Sequence, residues 1–298
     1  TFLKIYIMVL KLGSKDDRIR HIQLLLNIKQ DGLFGKQTQT AVKEFQISNN
    51  LVPDGIVGIK TLDALESLDS QSNQIINNIP YIKNHLPYGE YSKYTTNKDY
   101  LFLHHTAGWN DPYRTIKHWG RDSRGMVGTE FVIGGMKVNS RNSYDETDGL
   151  ILQAFPTGHF AWHLGKNGCR DMHTNSVGIE LNSFGYLKDG LTYTGARAVS
   201  SQICELNESF KGFKNWHRYS DKQIKSLKKL CLFIAERDNI DVRDGLPNLI
   251  RNNGVKAFEF NRDAYNGKIK GLLTHTNTNK GKFDCFPQQE LIDMLLSL

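Results

Sequence analysis

The sequence predicts a small all-α three-helix domain followed by a larger α/β domain, whose mixed central sheet is flanked by helices. Three observations carry this. A doubled turn motif sits near the N-terminus among apolar residues at helical spacing, a polar stretch poor in large apolar residues follows, and strand-like and helix-like patterns then alternate to the end. With 298 residues, 39% of them hydrophobic and 23% charged, the chain has enough apolar material for a sizeable core.

The doubled motif is Asp31-Gly32-Leu33-Phe34-Gly35-Lys36-Gln37-Thr38 and Asp54-Gly55-Ile56-Val57-Gly58-Ile59-Lys60-Thr61, which share the pattern D-G-x-x-G-x-x-T. Each copy reads as a turn feeding a helix: the glycines permit backbone angles other residues resist, and the threonine starts or supports the next helical turn. Ile19, Ile22, Leu25 and Leu26 make one apolar stripe, and Ala41, Val42 and Phe45 make another. The segment from about residue 10 to 68 resembles the peptidoglycan-binding three-helix domain found beside many wall hydrolases. The expected boundaries are 1–68 for this domain, 69–84 for a linker rich in Ser, Asn, Gln and Asp, and 85–298 for the second domain.

In the second domain, Tyr100 to Leu103 reads as a strand, and Asp111-Pro112 caps a helix carrying Ile116 and Trp119. Further strand patterns lie at Gly128 to Ile133, Leu150 to Phe155 and Val177 to Leu181. Ser220 opens a helix with Ile224, Leu227, Cys231 and Ile234 on one face, and Gly271 to Thr274 reads as a buried strand. Residues 252–267 match no interpretable motif.

The formal charge of +7 draws the chain toward polyanions without choosing among them. No Lys/Arg block interleaved with aromatics tracks a phosphate backbone, so no nucleic-acid partner is expected. Cys169, Cys204, Cys231 and Cys285 are widely spaced with no CxxC pair, which predicts neither a zinc finger nor a dense disulfide framework. Cys231, in an apolar run, reads as a small buried hydrophobe. Thr1 to Leu12 is apolar but broken by Lys4 and Lys11. It is too short to span a bilayer and has no small-residue cleavage site, so neither a membrane anchor nor an export signal is expected.

Zinc hydrolases need three protein ligands from neutral imidazole, thiolate or carboxylate, with a fourth position open to water. Candidates cluster at strand ends: His104-His105-Thr106-Ala107-Gly108 follows one strand, and His275 follows another, with Asp284-Cys285 beyond it. These strings, together with Ala161-Trp162-His163-Leu164-Gly165 and Ser176-Val177-Gly178-Ile179-Glu180-Leu181, occur in the order seen in the type 2 N-acetylmuramoyl-L-alanine amidases. That family also includes peptidoglycan recognition proteins and phage lysins, and the resemblance covers about two thirds of the chain.

The resemblance implies a zinc ion held by His104, His275 and Cys285, the last at a position where the family uses aspartate or cysteine. His105 should point away from His104 by strand alternation, which leaves it a packing or neighbouring role beside the substrate. Asp284 is the rival third ligand. Phe286 comes before Pro287, and Gln288 stands where the family has glycine. Lys282, expected to steady the oxyanion, holds the family's spacing relative to Asp284 but not to Cys285. Cys285 is retained on its ten-residue interval from His275 and on the affinity of thiolate for zinc.

Glu180 matches the catalytic carboxylate that takes a proton from the attacking water and returns it to the leaving amine. Thr129 stands where relatives have a tyrosine, with Glu130 a remote alternative, and Trp162 and His163 match a Trp-His motif at the groove wall. The implied activity is hydrolysis of the amide between muramic acid and L-alanine in bacterial peptidoglycan. A phage endolysin or other wall-lytic enzyme would act at the cell wall, reached by lysis, a holin or an assembled particle. The alternatives are a peptidoglycan-recognition module without cleavage, a wall-directed component of a phage particle or injection apparatus, and a peptidase cutting within the stem.

Overall fold

The computed structural model describes residues 9–26, 28, 31–65, 79–138, 145–165 and 169–298. The chain forms two compact units, Thr1–Asn78 and Ile79–Leu298. Most of the expected N-terminal leader, residues 66–68 at the end of the expected first domain and residues 69–78 of the expected linker lie outside the described residues. Residues 79–84 of that linker belong to the second unit, where Tyr81–Lys83 forms a strand.

In the first unit, helices α1 (Asp17–Leu25), α2 (Lys36–Ser48) and α3 (residues 59–65) enclose a core of Leu10, Ile19, Ile22, Phe34, Val42, Val57 and Leu65. The doubled motif builds the same polar clamp twice. Gln23 Nε2 donates to Asp31 Oδ1 (2.8 Å), Leu33 O (3.1 Å) and Thr38 Oγ1 (3.1 Å), and its Oε1 accepts from Gly32 N (2.9 Å). Gln46 repeats this on Asp54 (2.8 Å), Ile56 O (3.0 Å), Thr61 (3.1 Å) and Gly55 N (2.9 Å). The motif threonine therefore serves mainly as an acceptor that satisfies a buried glutamine. That glutamine, eight residues before each Asp, is the unread part of the repeat. Gly32 and Gly55 have φ of +74° and +71°, the left-handed backbone that favours glycine.

The second unit holds a six-stranded sheet of order β1-β4-β3-β5-β2-β8. Its strands are β1 (Tyr81–Lys83), β2 (Tyr100–His105), β3 (Phe131–Ile133), β4 (Ile151–Gln153), β5 (Ser176–Leu181) and β8 (Gly271–Thr274). All neighbouring pairs are parallel except β3 with β4, so the expected mixed sheet is present. An antiparallel hairpin, β6 (Ile203–Phe210) with β7 (Phe213–His217), stands apart from it.

Alternation along the strands sorts the side chains. Leu101, Leu103, Ile179 and Leu181 face a core shared with α6 (Asp221–Asp238), α7 (Leu246–Asn253) and α10 (Gln289–Leu296). Phe102 faces the other way, packing with Met172 of α5 (Arg170–Thr174) and Ala264 of α8 (Arg262–Tyr265). On that second face α4 (Pro112–Trp119) buries Ile116 against Val132 and Leu152. The caps are as the sequence predicts: Asp111 accepts from Tyr113 N at 2.9 Å, and Ser220 accepts from Gln223 N at 2.9 Å. Cys231 is fully buried, and no disulfide forms among the described residues. None of their helices is long and apolar enough to cross a membrane.

Candidate metal centre and catalytic groove

The end of β2 lies beside the end of β5, with His104 in register with Glu180. Registered neighbours in a parallel ladder point to the same side, so imidazole and carboxylate share the face opposite the main core. β8 flanks β2 on its other edge, and its chain turns directly into α9 (His275–Thr278). This one-turn helix is held by side chains. Asn277 Oδ1 accepts from Thr274 N (3.0 Å), while its Nδ2 donates to Ala257 O (2.7 Å) and Glu259 O (2.9 Å). Residues 252–267, unreadable in sequence, thus brace the turn that presents His275.

Three candidate ligand atoms converge there. His104 Nδ1 lies 3.1 Å from His275 Nδ1 and 3.2 Å from Asp284 Oδ2, and His275 Nδ1 lies 3.1 Å from the same oxygen. His275 Nε2–H donates to Leu164 O at 3.0 Å, which turns Nδ1 inward. His104 Nε2 pairs with His163 Nδ1 at 2.9 Å, and His163 Nε2 pairs with Ser176 Oγ at 2.8 Å. Each outer nitrogen is thus engaged, as in histidine metal sites, which leaves the two inward nitrogens to face a cation beside Asp284. Two imidazoles and a carboxylate, all within 4.8 Å of one another, fit a zinc ion with one position left open.

The third partner differs from the sequence expectation. Among the described residues the group able to share an ion is His104, His275 and Asp284. Cys285 is fully buried in the main core, its thiol beside the Tyr219 hydroxyl. Burial, then the neighbouring Asp284 carboxylate, push that thiol well above its ordinary value, as expected of a thiol packed in a core and not at a cation. Burial opposes ionisation of Asp284 too, but the His275 charge and hydrogen bonds from both histidines outweigh it and hold the carboxyl well below the usual range.

The departures after the ligand have a packing cause. Phe286 stacks between Trp216 (4.7 Å) and Tyr219 (4.5 Å). Gln288 accepts from Tyr219 N (2.8 Å) and donates to Tyr219 O (2.9 Å).

A groove of about 930 Å³ opens over the centre, lined in part by His104, Glu180, His275, Asp284, Lys282 and Trp162. The Glu180 carboxylate has no hydrogen-bond partner among the described residues. Withdrawal from water, then the Asp284 charge, raise its pKa well above the usual carboxylate range, with Lys282 opposing. Trp162 is 39% exposed and packs edge-on to Phe160 and His173.

The remaining expected residues sit elsewhere. His163 is a positioning residue behind His104. Gly178 makes room for it: a Cβ there would fall 2.7 Å from Thr129 Cγ2 and 3.2 Å from His163 Nδ1. Thr129 is buried beneath, its hydroxyl donating to Phe131 O at 2.8 Å, away from any substrate. His105 borders the groove, but its Nδ1 is paired with the Tyr219 hydroxyl at 2.7 Å. Glu130 is a buried structural carboxylate held by Arg237 at 2.6 and 3.0 Å.

Comparison with known proteins accords with this geometry. Residues 94–277 match the family model described as N-acetylmuramoyl-L-alanine amidase, more than half of the chain. The chain belongs to the N-acetylmuramoyl-L-alanine amidase family. Residues 17–65 match a peptidoglycan binding domain model. The amidase match takes in His104, His163, Glu180 and His275 and stops short of Asp284.

Similar solved structures include the catalytic domain of XlyA, 15% identical over 74% of this chain and 98% of that one, with a TM-score of 0.39. The amidase LysC from Clostridium intestinale URNW is 15% identical, covering 73% and 98%, at 0.39. AmiD from E. coli, in complex with anhydro-N-acetylmuramic acid-L-Ala-D-gamma-Glu-L-Lys, is 20% identical, covering 51% and 48%, at 0.32. No curated protein sequence matches.

Proposed function

We propose that the chain is a zinc-dependent N-acetylmuramoyl-L-alanine amidase that hydrolyses the amide between the lactyl group of muramic acid and L-alanine, as a wall-lytic enzyme of the endolysin kind. The observation that carries the reading is the convergence of His104 Nδ1, His275 Nδ1 and Asp284 Oδ2 beside Glu180 in an open groove. When bound, zinc supplies a Lewis acid for the scissile carbonyl and lowers the pKa of water toward ~7.

The protein's own residues do the rest. Glu180, with no competing hydrogen bond and a raised pKa, takes the proton of the attacking water and passes it to the leaving alanine nitrogen. Lys282, on the groove wall, offers a positive charge to the developing oxyanion. His163 and the Leu164 carbonyl hold the two imidazoles in the ligating tautomer. Trp162 offers an aromatic face to the sugar or peptide. The N-terminal unit holds the enzyme on peptidoglycan, and delivery to the wall is by lysis or an assembled particle.

The test is mass analysis of products from purified sacculi, with metal content measured in parallel. Glu180→Gln should lower release of stem peptides by about 10²- to 10⁴-fold with zinc retained. Undiminished hydrolysis would remove Glu180 from its role, cleavage within the stem would make the enzyme a peptidase, and binding without cleavage would leave a recognition module.

A further inference from the structure

One wall of the groove carries charge that the chemistry above does not use. Helix α4 buries Pro112 and Ile116, and its opposite side presents Arg114, Lys117 and His118, continued by Arg121 just past the helix end, at the i, i+3, i+4, i+7 spacing of a single helical face. All four are exposed and all line the groove that contains the His104, His275 and Asp284 cluster. Among the described residues, Arg114, Lys117 and Arg121 have no carboxylate within ion-pair distance; Asp122, the nearby acid, is taken by Arg124 at 2.6 Å. Arg114 is also held in place, its guanidinium 4.6 Å above the Trp109 ring, which in turn packs edge-on to Phe184. A stacked guanidinium is a pre-oriented fork for a carboxylate.

Resting on the amidase reading, we infer that the α4 strip is the peptide wall of the groove and selects stem peptides bearing free carboxylates over amidated ones. The chemistry of the substrate decides the end. In an unmodified muramoyl peptide the lactyl carboxyl is consumed in the scissile amide, and the sugars carry hydroxyls and acetamides. Negative charge therefore lies on the peptide side. Three uncompensated cations with one pre-oriented guanidinium match two or more carboxylates spaced along an extended chain. The same cations would accept phosphate from a wall polymer attached to the glycan, so the experiment separates the two.

Synthetic muramoyl pentapeptides, identical except for free or amidated side and α-carboxyls at the second and third residues, are compared as substrates. The expected result is a kcat/KM about tenfold or more higher for the free acid, expressed mainly in KM and shrinking with added salt. In Arg114→Gln/Lys117→Gln/Arg121→Gln the ratio should fall toward one, and Arg114→Lys should restore charge but only part of the preference.

Equal kcat/KM on the two peptides in the unaltered enzyme, or a preference that survives the triple variant, overturns the inference. So does a variant defect confined to sacculi that retain phosphate polymers, which would assign the strip to that polymer. If neither peptide is cleaved the amidase reading itself fails. The strip is then judged by calorimetric binding of the same peptides, where equal Kd values overturn it and a tighter free acid sustains it.

Discussion

His104 and His105 are adjacent, both buried, and burial pushes both to about 4, yet they live on opposite faces of the sheet. His104 meets His275, Asp284 and His163 at a groove; His105 meets Tyr219, Trp216 and Phe286 in an aromatic core. Asp284 and Cys285 repeat the division, the carboxylate joining the groove-side histidines and the thiol joining Tyr219. Burial and a low imidazole pKa are thus shared by both faces and identify neither. What separates them is the outer hydrogen bond: each groove-side histidine engages its Nε2 outward so that Nδ1 faces Asp284, whereas the ring of His105 closes on a phenol.

The strongest way to break this contrast is to exchange the two acidic candidates. Asp284→Ala should lose zinc and lower activity more than about hundredfold, exceeding the 10- to 100-fold typical of outer partners. Cys285→Ala should keep both metal and activity and cost stability only, since it removes a buried thiol from packing. Metal analysis and stem-peptide release on the two proteins decide it, and zinc loss from Cys285→Ala would return the thiolate to the centre.

The core face can be tested through pH. His217 is fully buried, close enough to His105 for their charges to repel, and burial lowers its pKa to about 4 from an ordinary 6.5. Between these values the unfolded chain binds a proton that the folded one refuses, so stability is fully present above pH 6.5 and declines as pH falls toward 4. The contribution is about 3 kcal/mol. Urea unfolding at pH 7 and 4.5 should show a loss that His217→Gln lessens by roughly that amount; an identical loss in the variant would mean the core-face histidine is not what titrates.

On the groove face, His163→Ala should weaken zinc binding about 10- to 100-fold without abolishing it, as His104 loses the hydrogen-bond partner of its Nε2. Competition with a chelator measures this. An unchanged affinity would make the His104, His163 and Ser176 chain incidental.

Much of this division was legible in the sequence. Alternation alone places His104 and His105 on opposite faces, and the strands at 100–103, 177–181 and 271–274 carry the periodicity that builds the sheet. The third member of the candidate metal cluster was not legible, because spacing from His275 counts residues while the chain between them runs through a helical turn and a loop. The plug of Phe286 between two aromatic rings fixes which of two adjacent side chains turns inward, and that depends on Trp216 and Tyr219, some seventy residues earlier in the chain. β1 was hidden in a polar stretch for a similar reason: it is an edge strand of three residues whose pairing with β4 supplies what its composition does not. The basic strip of α4 had a readable period of 3.6, but only the fold shows that it borders the groove.

Tyr219→Phe sharpens the contrast by the smallest change. The phenol hydroxyl is hydrogen-bonded to His105 Nδ1 at 2.7 Å, so its removal leaves a buried polar atom unsatisfied at a cost of about 1–3 kcal/mol. The ring itself should not move, because Phe286 stacks on it and Gln288 holds its backbone at both N and O. Asp284 should therefore keep its place, and the variant should melt earlier while binding zinc and releasing stem peptides as before. A loss of zinc instead would mean that the core face positions the groove face through the peptide joining Asp284 to Cys285, and the two sides would have to be treated as one unit.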